Sequence, residues 1–319
     1  MTTSSHIITK TTTFLILLLL FLSSFSICLG TRTLNSLYKP PPNLLKYHNG
    51  PLLEGNIPIS ILWYGNFKPS QKSILIDFIL SLTPFHHPHT SNRAPTLSQW
   101  WKTVDDLLAM AGKAKTHIFI SEQTTDIHYS LGKHLNKSQI ERLTTKRAKT
   151  TKEGIMLVLT SEDVAVEGFC MSHCGYHSSY SGEKEAYIWV GNSVNQCPGQ
   201  CAWPFHQPLY GPQMATPLVS PNGDVGVDGM VINLATLIAG TVTDPFGRGY
   251  FQGEEGGEVE VVAACSGVFG KGAFSGYTGE VLVDKTGNGG SYNVVGLTGR
   301  KFLVPAMLDP STSSCSPMV

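Results

Sequence analysis

Charged side chains are scarce in this chain of 319 residues, because Lys, Arg, Asp and Glu together make up only 14% of it. The 23 basic residues equal the 23 acidic ones, so there is no excess of positive charge. That balance argues against general nucleic-acid binding. Gly is abundant, with 32 residues. A composition poor in charge and rich in Gly favours strands, turns and loops over a helical bundle.

The common catalytic motifs are also missing. No G-x-S-x-G, no GK[ST] and no G-x-G-x-x-G occurs anywhere in the chain. The chain therefore offers no nucleophile elbow, no P-loop and no dinucleotide-binding turn. A loop that resembles a calcium site, residues 222–233, lacks the Gly at its sixth place and has Asn233 where the bidentate Glu belongs.

The first thirty residues have the three zones of a secretory signal peptide. Residues 1–13 are polar, residues 14–29 are mostly apolar, and small residues end the segment at Gly30. The apolar part is short for a membrane span of about 20 residues, and no basic cluster follows it. We expect a signal peptide at residues 1–30, an extended lead-in at residues 31–46, and one domain at residues 47–319. The mature protein is then extracellular.

Removal of Cys28 with the signal peptide leaves six cysteines. An even number in an exported chain predicts three disulfides, with 15 possible pairings. The alternative is a zinc site, because two Cys-x3-Cys pairs flank His173 and His177. The six are Cys170, Cys174, Cys197, Cys201, Cys265 and Cys315.

Hydrophobic periodicity predicts an α+β fold in a single disulfide-stabilised domain. Alternating apolar residues predict a strand at residues 57–64, and continuous apolar runs predict strands at 155–160 and 187–191. Helical spacing predicts helices at residues 69–82, 98–111, 138–149 and 230–242. Short strands are expected at residues 117–121, 259–263, 281–283 and 292–295.

Several polar residues are candidates for function. His173 and His177 lie between cysteines that would hold them rigidly, while Asp228 and Glu258 stand among acids in Gly-rich segments. A glycosidase needs two carboxylates across the sugar, and spacing alone places no two of these acids at that separation. We therefore assign no catalytic residue, and these four residues remain candidates.

A basic segment lies at residues 133–152. It holds seven Lys or Arg residues against the single acid Glu141, and Lys146, Arg147 and Lys149 are its densest part. On a helix this charge indicates either an ordinary solvated face or a docking site for a polyanion such as acidic wall polysaccharide. Asn136 begins an N-glycosylation sequon in the same segment.

Five stretches resemble the plant EXORDIUM family, also called the phosphate-induced protein family. They are YHNGPLL at 47–53, ILWYG at 61–65, WVGN through QCPGQCAWPF at 189–205, PNGDVGVDGM at 221–230 and GRKF at 299–302. The resemblance covers nearly all of the mature chain. It implies an apoplastic, cell-wall-associated protein linked to cell expansion and brassinosteroid-dependent growth, with no established catalytic residues and no cofactor.

A second resemblance concerns one helix. Residues 236–245, TLIAGTVTDP, are similar to a zincin-type helix of the form H-E-L-x-E-x-x-T-D-P found in microbial relatives. Here Thr236, Leu237 and Gly240 replace the first ligand, the general base and the second ligand position. None of the three side chains binds zinc or acts as a base. The more specific expectation is a zincin-like scaffold with a degenerate metal-binding helix and no metal.

These observations leave two functional hypotheses. The first is a non-enzymatic secreted protein that contacts wall polysaccharide or an extracellular receptor. The second is an extracellular hydrolase of wall polysaccharide or peptide that uses Glu or Asp with His173 and His177.

Overall fold

The computed structural model describes residues 45–83, 94–148, 154–171, 173–180, 185–213, 216–254 and 256–319, with side chains 146–148 excluded. The expected signal peptide and nearly all of the expected lead-in lie outside these ranges. The described residues belong to one compact unit.

The elements follow one another in this order: β1 (Leu45–Tyr47), β2 (Gly55–Tyr64), α1 (Pro69–Leu80), α2 (Leu97–Met110), β3 (Thr116–Asp126), β4 (His134–Leu135), α3 (Lys137–Ala148), β5 (Ile155–Thr160), β6 (Ala165–Val166), β7 (Gly175–Ser179), β8 (Ala186–Gly191), α4 (Pro198–Cys201), α5 (Val225–Thr243), β9 (Tyr250–Gln252), β10 (Val259–Glu260), a 3-10 turn (Val261–Ala263), β11 (Leu282–Val283), β12 (Ser291–Tyr292), β13 (Val294–Val295), β14 (Lys301–Phe302), β15 (Met307–Asp309) and β16 (Ser314–Ser316).

A five-stranded sheet in the order β3-β2-β5-β8-β7 forms the centre of the molecule. The strands β3, β2, β5 and β8 run parallel, and β7 joins the edge antiparallel to β8. All six residues of β5 and of β8 are buried. Both faces of these strands must be covered, which explains their continuous apolar sequences.

The first face of the sheet carries the main core. Alternate residues of the strands, such as Ile59, Ile61 and Leu157, pack there with α1, α2 and α5. The α2 indoles are buried, and each donates a hydrogen bond. Trp100 Nε1 donates to the carbonyl of Pro305 at 2.7 Å, and Trp101 Nε1 donates to Thr116 Oγ1 at 2.7 Å. These bonds satisfy the only polar atom of each large buried ring.

The second face carries a smaller core under α3. Residues of the other strand parity, including Val158 and Trp189, pack there against Ile140 and Leu143 of α3. Helices therefore cover both faces, and the chain has the mixed α and β composition that the sequence predicts.

The helix α5 is long and apolar enough to cross a membrane by length and composition, with a mean hydropathy of 1.6. In the domain, 72% of its most apolar 18-residue window is buried. A buried core helix has the same length and hydropathy, because a helix covered on all sides is apolar on all sides. It is the one such helix in the described part of the chain.

Beyond α5 the chain forms short antiparallel pairs: β11 with β12, β13 with β14, and β15 with β16. The strand expected at residues 259–263 ends at Glu260, because Val261 and Val262 turn into the core beside α5. The strand expected at 292–295 is divided between two hairpins, because Asn293 turns its side chain into the interior.

Three disulfides join the six cysteines, which confirms the expected number. They link Cys170 with Cys197, Cys174 with Cys201, and Cys265 with Cys315. The first two run side by side and tie the loop before β7 to α4. Since these sulfur atoms are bonded to one another, they are not thiolate ligands for zinc, and the alternative zinc interpretation of the cysteines is wrong.

Candidate functional site

The helix α5 packs beside the edge strand β7. The helix begins at Asp224, whose Oδ1 accepts a hydrogen bond from the Val227 amide at 3.0 Å. An aspartate at this position accepts a hydrogen bond from a free amide, and its negative charge is stabilised by the positive end of the helix dipole. Most of α5 is buried, and its half-exposed stripe consists of Ile232, Asn233, Thr236 and Leu237.

Thr236 and Leu237 lie in this stripe, and Gly240 lies next to it. Leu237 packs on β7, since a Cβ added at Gly175 would lie 2.7 Å from Leu237 Cδ1. Gly240 lies one turn further along and is buried. A Cβ on Gly240 would lie 3.0 Å from Glu260 Oε2 and 3.2 Å from His177 Nε2. The space beside Gly240 is therefore filled by these two side chains.

His177 and Glu260 form the closest acid–imidazole pair of this region. His177 Nε2 lies 3.0 Å from each carboxylate oxygen of Glu260. The imidazole is 12% exposed and the carboxylate 31%. His177 Nδ1 is buried and has no hydrogen-bond partner among the described residues. Both oxygens of Glu260 are directed at one ring nitrogen, so the pair closes on itself.

Asp244 lies at the C-terminal end of α5, close to this pair. Its Oδ1 accepts a hydrogen bond from the Gly249 amide at 2.6 Å, and the residue is buried. Burial raises the pKa of Asp244, with a smaller contribution from the charge of Glu260. The hydrogen bond from the Gly249 amide and the charge of His177 lower this pKa. Asp244 thus anchors the chain after α5.

Glu258 lies directly before β10 of the small sheet, whose strand order is β1-β9-β10. Its Oε1 is 3.3 Å from Lys46 Nζ and 3.4 Å from His48 Nε2. Glu258 therefore contacts Lys46 and His48, whereas Glu260 contacts His177, so the two carboxylates engage different basic side chains.

The two candidate histidines lie on opposite sides of β7. His177 points toward α5. The ring of His173 lies beside Tyr176, with ring centroids 6.3 Å apart, and Tyr176 packs against the core under α3. The carbonyl of His173 accepts from the Cys170 amide at 3.1 Å. The structure pairs His177 with Glu260, a partner 83 residues away that sequence spacing alone does not reveal.

Asp228 is 2% exposed and lies in the first turn of α5. It accepts hydrogen bonds from Ser220 Oγ at 2.5 Å, from the Asn222 amide at 2.9 Å and from Asn222 Nδ2 at 2.6 Å. Asn222 Oδ1 in turn accepts from Arg300, whose Nε donates to Asp77 at 2.7 Å. Asp228 thus fixes the turn before α5 and links it to the C-terminal hairpins.

We predict a pH dependence of stability from Asp228. Burial raises its pKa from 3.8 to about 6, against the three hydrogen bonds that lower it. The folded protein therefore holds this proton more tightly than the unfolded chain. The free energy of unfolding should increase as the pH falls from about 7 to about 4.

The measurement is urea denaturation across this pH range, for the wild type and for Asp228→Asn. The variant should lose the part of the increase that belongs to Asp228. Asp106→Asn, which removes an exposed carboxylate of α2, is the control. It should show the same increase in the free energy of unfolding as the wild type. Identical pH profiles for wild type and Asp228→Asn would show that this carboxylate is not the group that titrates.

Asn136 is exposed at the start of α3, as a glycosylation site requires. Its Oδ1 accepts from the Gln139 amide at 2.9 Å and from Ser138 Oγ at 2.8 Å. A glycan would be attached through Nδ2 and would leave this cap in place. The side chains of Lys146 and Arg147, and all of Lys149, lie outside the described residues.

Across the part of the chain that the structure describes, no group of three or more His, Cys, Asp or Glu side chains is arranged to hold a metal ion. The fold and this region together define a disulfide-stabilised α+β domain with a closed His–Glu pair beside its longest helix. No solved structure matches the chain.

The chain belongs to the family described as the phosphate-induced protein 1 conserved region, whose family model matches residues 45–318. It is 50% identical to Protein PHOSPHATE-INDUCED 1 of Nicotiana tabacum over 318 residues, covering 97% of this chain and 99% of that protein. It is also 50% identical to Protein EXORDIUM of Arabidopsis thaliana over 311 residues, covering 95% of this chain and 98% of that protein. The resemblance found in the sequence is confirmed.

Proposed function

We propose that this protein is secreted into the apoplast, associates with the cell wall and promotes cell expansion and brassinosteroid-dependent growth without catalysing a reaction. The family membership and the signal-peptide pattern of residues 1–30 support this proposal. So do the three disulfides, since disulfides form and persist in oxidising compartments such as the extracellular space.

The pairing of His177 with Glu260 beside Gly240 carries the non-enzymatic part of the proposal. A general base must reach the proton that it removes. Here both oxygens of Glu260 contact the imidazole, and the pair occupies the space next to the helix. Glu258 is likewise engaged by Lys46. On this view the helix is the degenerate remnant of a zincin-like metal helix, with Thr236, Leu237 and Gly240 where the ligands and base would be.

Two partners are proposed. One is acidic wall polysaccharide, bound electrostatically through the basic segment that includes Lys146, Arg147 and Lys149. Such binding weakens as salt is added, because exposed charges are screened. The other is an extracellular receptor, for which the exposed surface of the domain is available.

A hydrolase acting on wall polysaccharide or peptide is the alternative function. The observation in its favour is the same pair, since an imidazole 3.0 Å from a carboxylate is the arrangement that positions a histidine for proton transfer. In that case a substrate would have to reach His177 Nδ1, which is buried and has no hydrogen-bond partner among the described residues.

Complementation of a plant line lacking the endogenous protein tests the proposal. Wild type, His177→Gln and Glu260→Gln are expressed at equal levels, and the wall fraction and the growth response to brassinosteroid are measured. We expect all three proteins to be wall-associated and to restore growth. Loss of growth in both variants, with secretion and wall association intact, would favour the hydrolase.

A further inference from the structure

An exposed patch of three aromatic rings and one leucine lies on two loops that are not part of the His–Glu pair. Leu209 and Tyr210 are each 88% exposed, Phe274 is 69% exposed and Tyr277 is 38% exposed. We call these four residues the aromatic platform. Single exposed apolar residues are common, but a cluster of large ones marks an interaction surface.

The two loops meet. Phe274 and Tyr277 close a two-residue hairpin, with amide-to-carbonyl distances of 3.0 and 2.7 Å. Gly276 in its turn has a φ of +85° and packs directly on Pro212, since an added Cβ would lie 2.7 Å from Pro212 Cβ. Tyr210 is two residues before Pro212 in the first loop, and the rings of Phe274 and Tyr277 lie with their centroids 5.1 Å apart in the second.

Both loops rest on a core of their own. Phe205, Phe269 and Leu303 are buried beneath them, and Trp203 packs on Phe269 with ring centroids 5.7 Å apart. Gln213 Nε2 donates to the carbonyls of Pro208 and Gly211, which fixes the first loop. The backbone of the first loop is therefore held in place, which reduces the loop ordering that ligand binding would require.

The platform is uncharged. Residues 207–213 and 272–279 contain no Lys, Arg, Asp or Glu. A surface that binds an anionic polymer or an anionic membrane carries basic residues, because electrostatic attraction supplies much of the binding. The composition of these loops therefore points to an electrically neutral ligand.

Aromatic rings with phenol hydroxyls suit one class of neutral ligand. A pyranose ring has an apolar face of C–H groups, which packs on an aromatic face, and hydroxyls at its rim, which hydrogen-bond. Tyr210 and Tyr277 offer both an apolar ring and a polar hydroxyl. We propose that the aromatic platform binds a neutral polysaccharide, with Tyr210 and Phe274 as the main stacking residues. The inference rests on the proposed function for the extracellular setting in which such a ligand is met.

Affinity gel electrophoresis of the secreted full-length protein tests this inference. The gels contain hydroxyethylcellulose, xyloglucan or galactomannan as neutral probes, and polygalacturonate as an anionic one. We expect a neutral probe to retard the wild type, and Tyr210→Ala with Phe274→Ala to raise the dissociation constant about tenfold. Tyr210→Phe should keep most of the affinity, and added salt should change it little.

Phe119→Ala is the matched control, because Phe119 of β3 is an aromatic residue exposed to 37% outside the platform. It should bind as the wild type does. Equal retardation of the wild type and the double variant overturns the inference while leaving the extracellular binding role in place. Absence of retardation by every neutral probe also overturns it, and so does binding of the platform to phosphatidylcholine–phosphatidylserine vesicles alone.

Discussion

Replacing Cys170, Cys174, Cys197 and Cys201 together by alanine is expected to lower the free energy of unfolding by about 6 kcal/mol. Either disulfide alone closes a loop with a sequence separation of 27 residues, which contributes about 3.5 kcal/mol in the chain-entropy description. The second bond then closes only a small ring of roughly eight residues and adds about 2.5 kcal/mol.

The two neighbouring bonds should therefore be non-additive. Removal of either one alone should cost only about 2.5 kcal/mol, because the other still closes the long loop. Removal of the Cys265–Cys315 bond, which spans 50 residues without a neighbour, should cost about 4 kcal/mol. Guanidinium denaturation of the three double-alanine variants and the fourfold variant measures these values. Single losses that add up to the fourfold loss would contradict the shared-loop argument.

Asn293→Asp is expected to destabilise the protein by on the order of 4 kcal/mol at neutral pH. Asn293 is 1% exposed, and its Nδ2 donates to the carbonyls of Phe269 at 2.9 Å and Val304 at 2.7 Å. Its Oδ1 accepts from the Val304 amide at 2.9 Å. Aspartate has the same shape but places a charged oxygen against two carbonyl oxygens.

A fall in pH should relieve part of this loss. A protonated aspartic acid can again donate one hydrogen bond, so the destabilisation by Asn293→Asp should shrink at acid pH. Asn288→Asp is the control, because Asn288 is exposed and donates to the Ser220 carbonyl at 3.2 Å. It should change stability little at any pH. A penalty for Asn293→Asp that does not depend on pH would argue against the carbonyl contacts as its cause.

The sequence predicts the elements whose pattern records their burial. Side chains of residues 57–64 alternate between two environments, because every second one faces the main core and the others face α3. The helix α1 begins at Pro69, since proline favours the first position of a helix. The sequence prediction starts α5 at residue 230, whereas the helix begins at Val225. Gly226 and Gly229 disfavour a helix in this turn, although Asp224 caps it. The extension of β3 to Asp126 is missed as well, since edge residues 121–126 are polar.

The candidate site is less predictable from sequence than the fold. His177 can be selected because cysteines surround it, but Glu260 differs from neighbouring acids only by its place in three dimensions. Asp228 looks like a member of an acidic loop and is a buried acceptor of three hydrogen bonds. Which acids face a base, and which hold a turn, depends on contacts between segments far apart in the chain.

The central claim is that this protein acts by being bound and does not cleave its ligand. It is tested most directly by incubating the secreted protein with wall polysaccharides and a peptide library, while new reducing ends and new peptide termini are quantified. We predict retention of the protein on a wall polymer with no new ends above the level of a heat-inactivated sample. New ends that disappear in His177→Gln and Glu260→Gln would contradict the account.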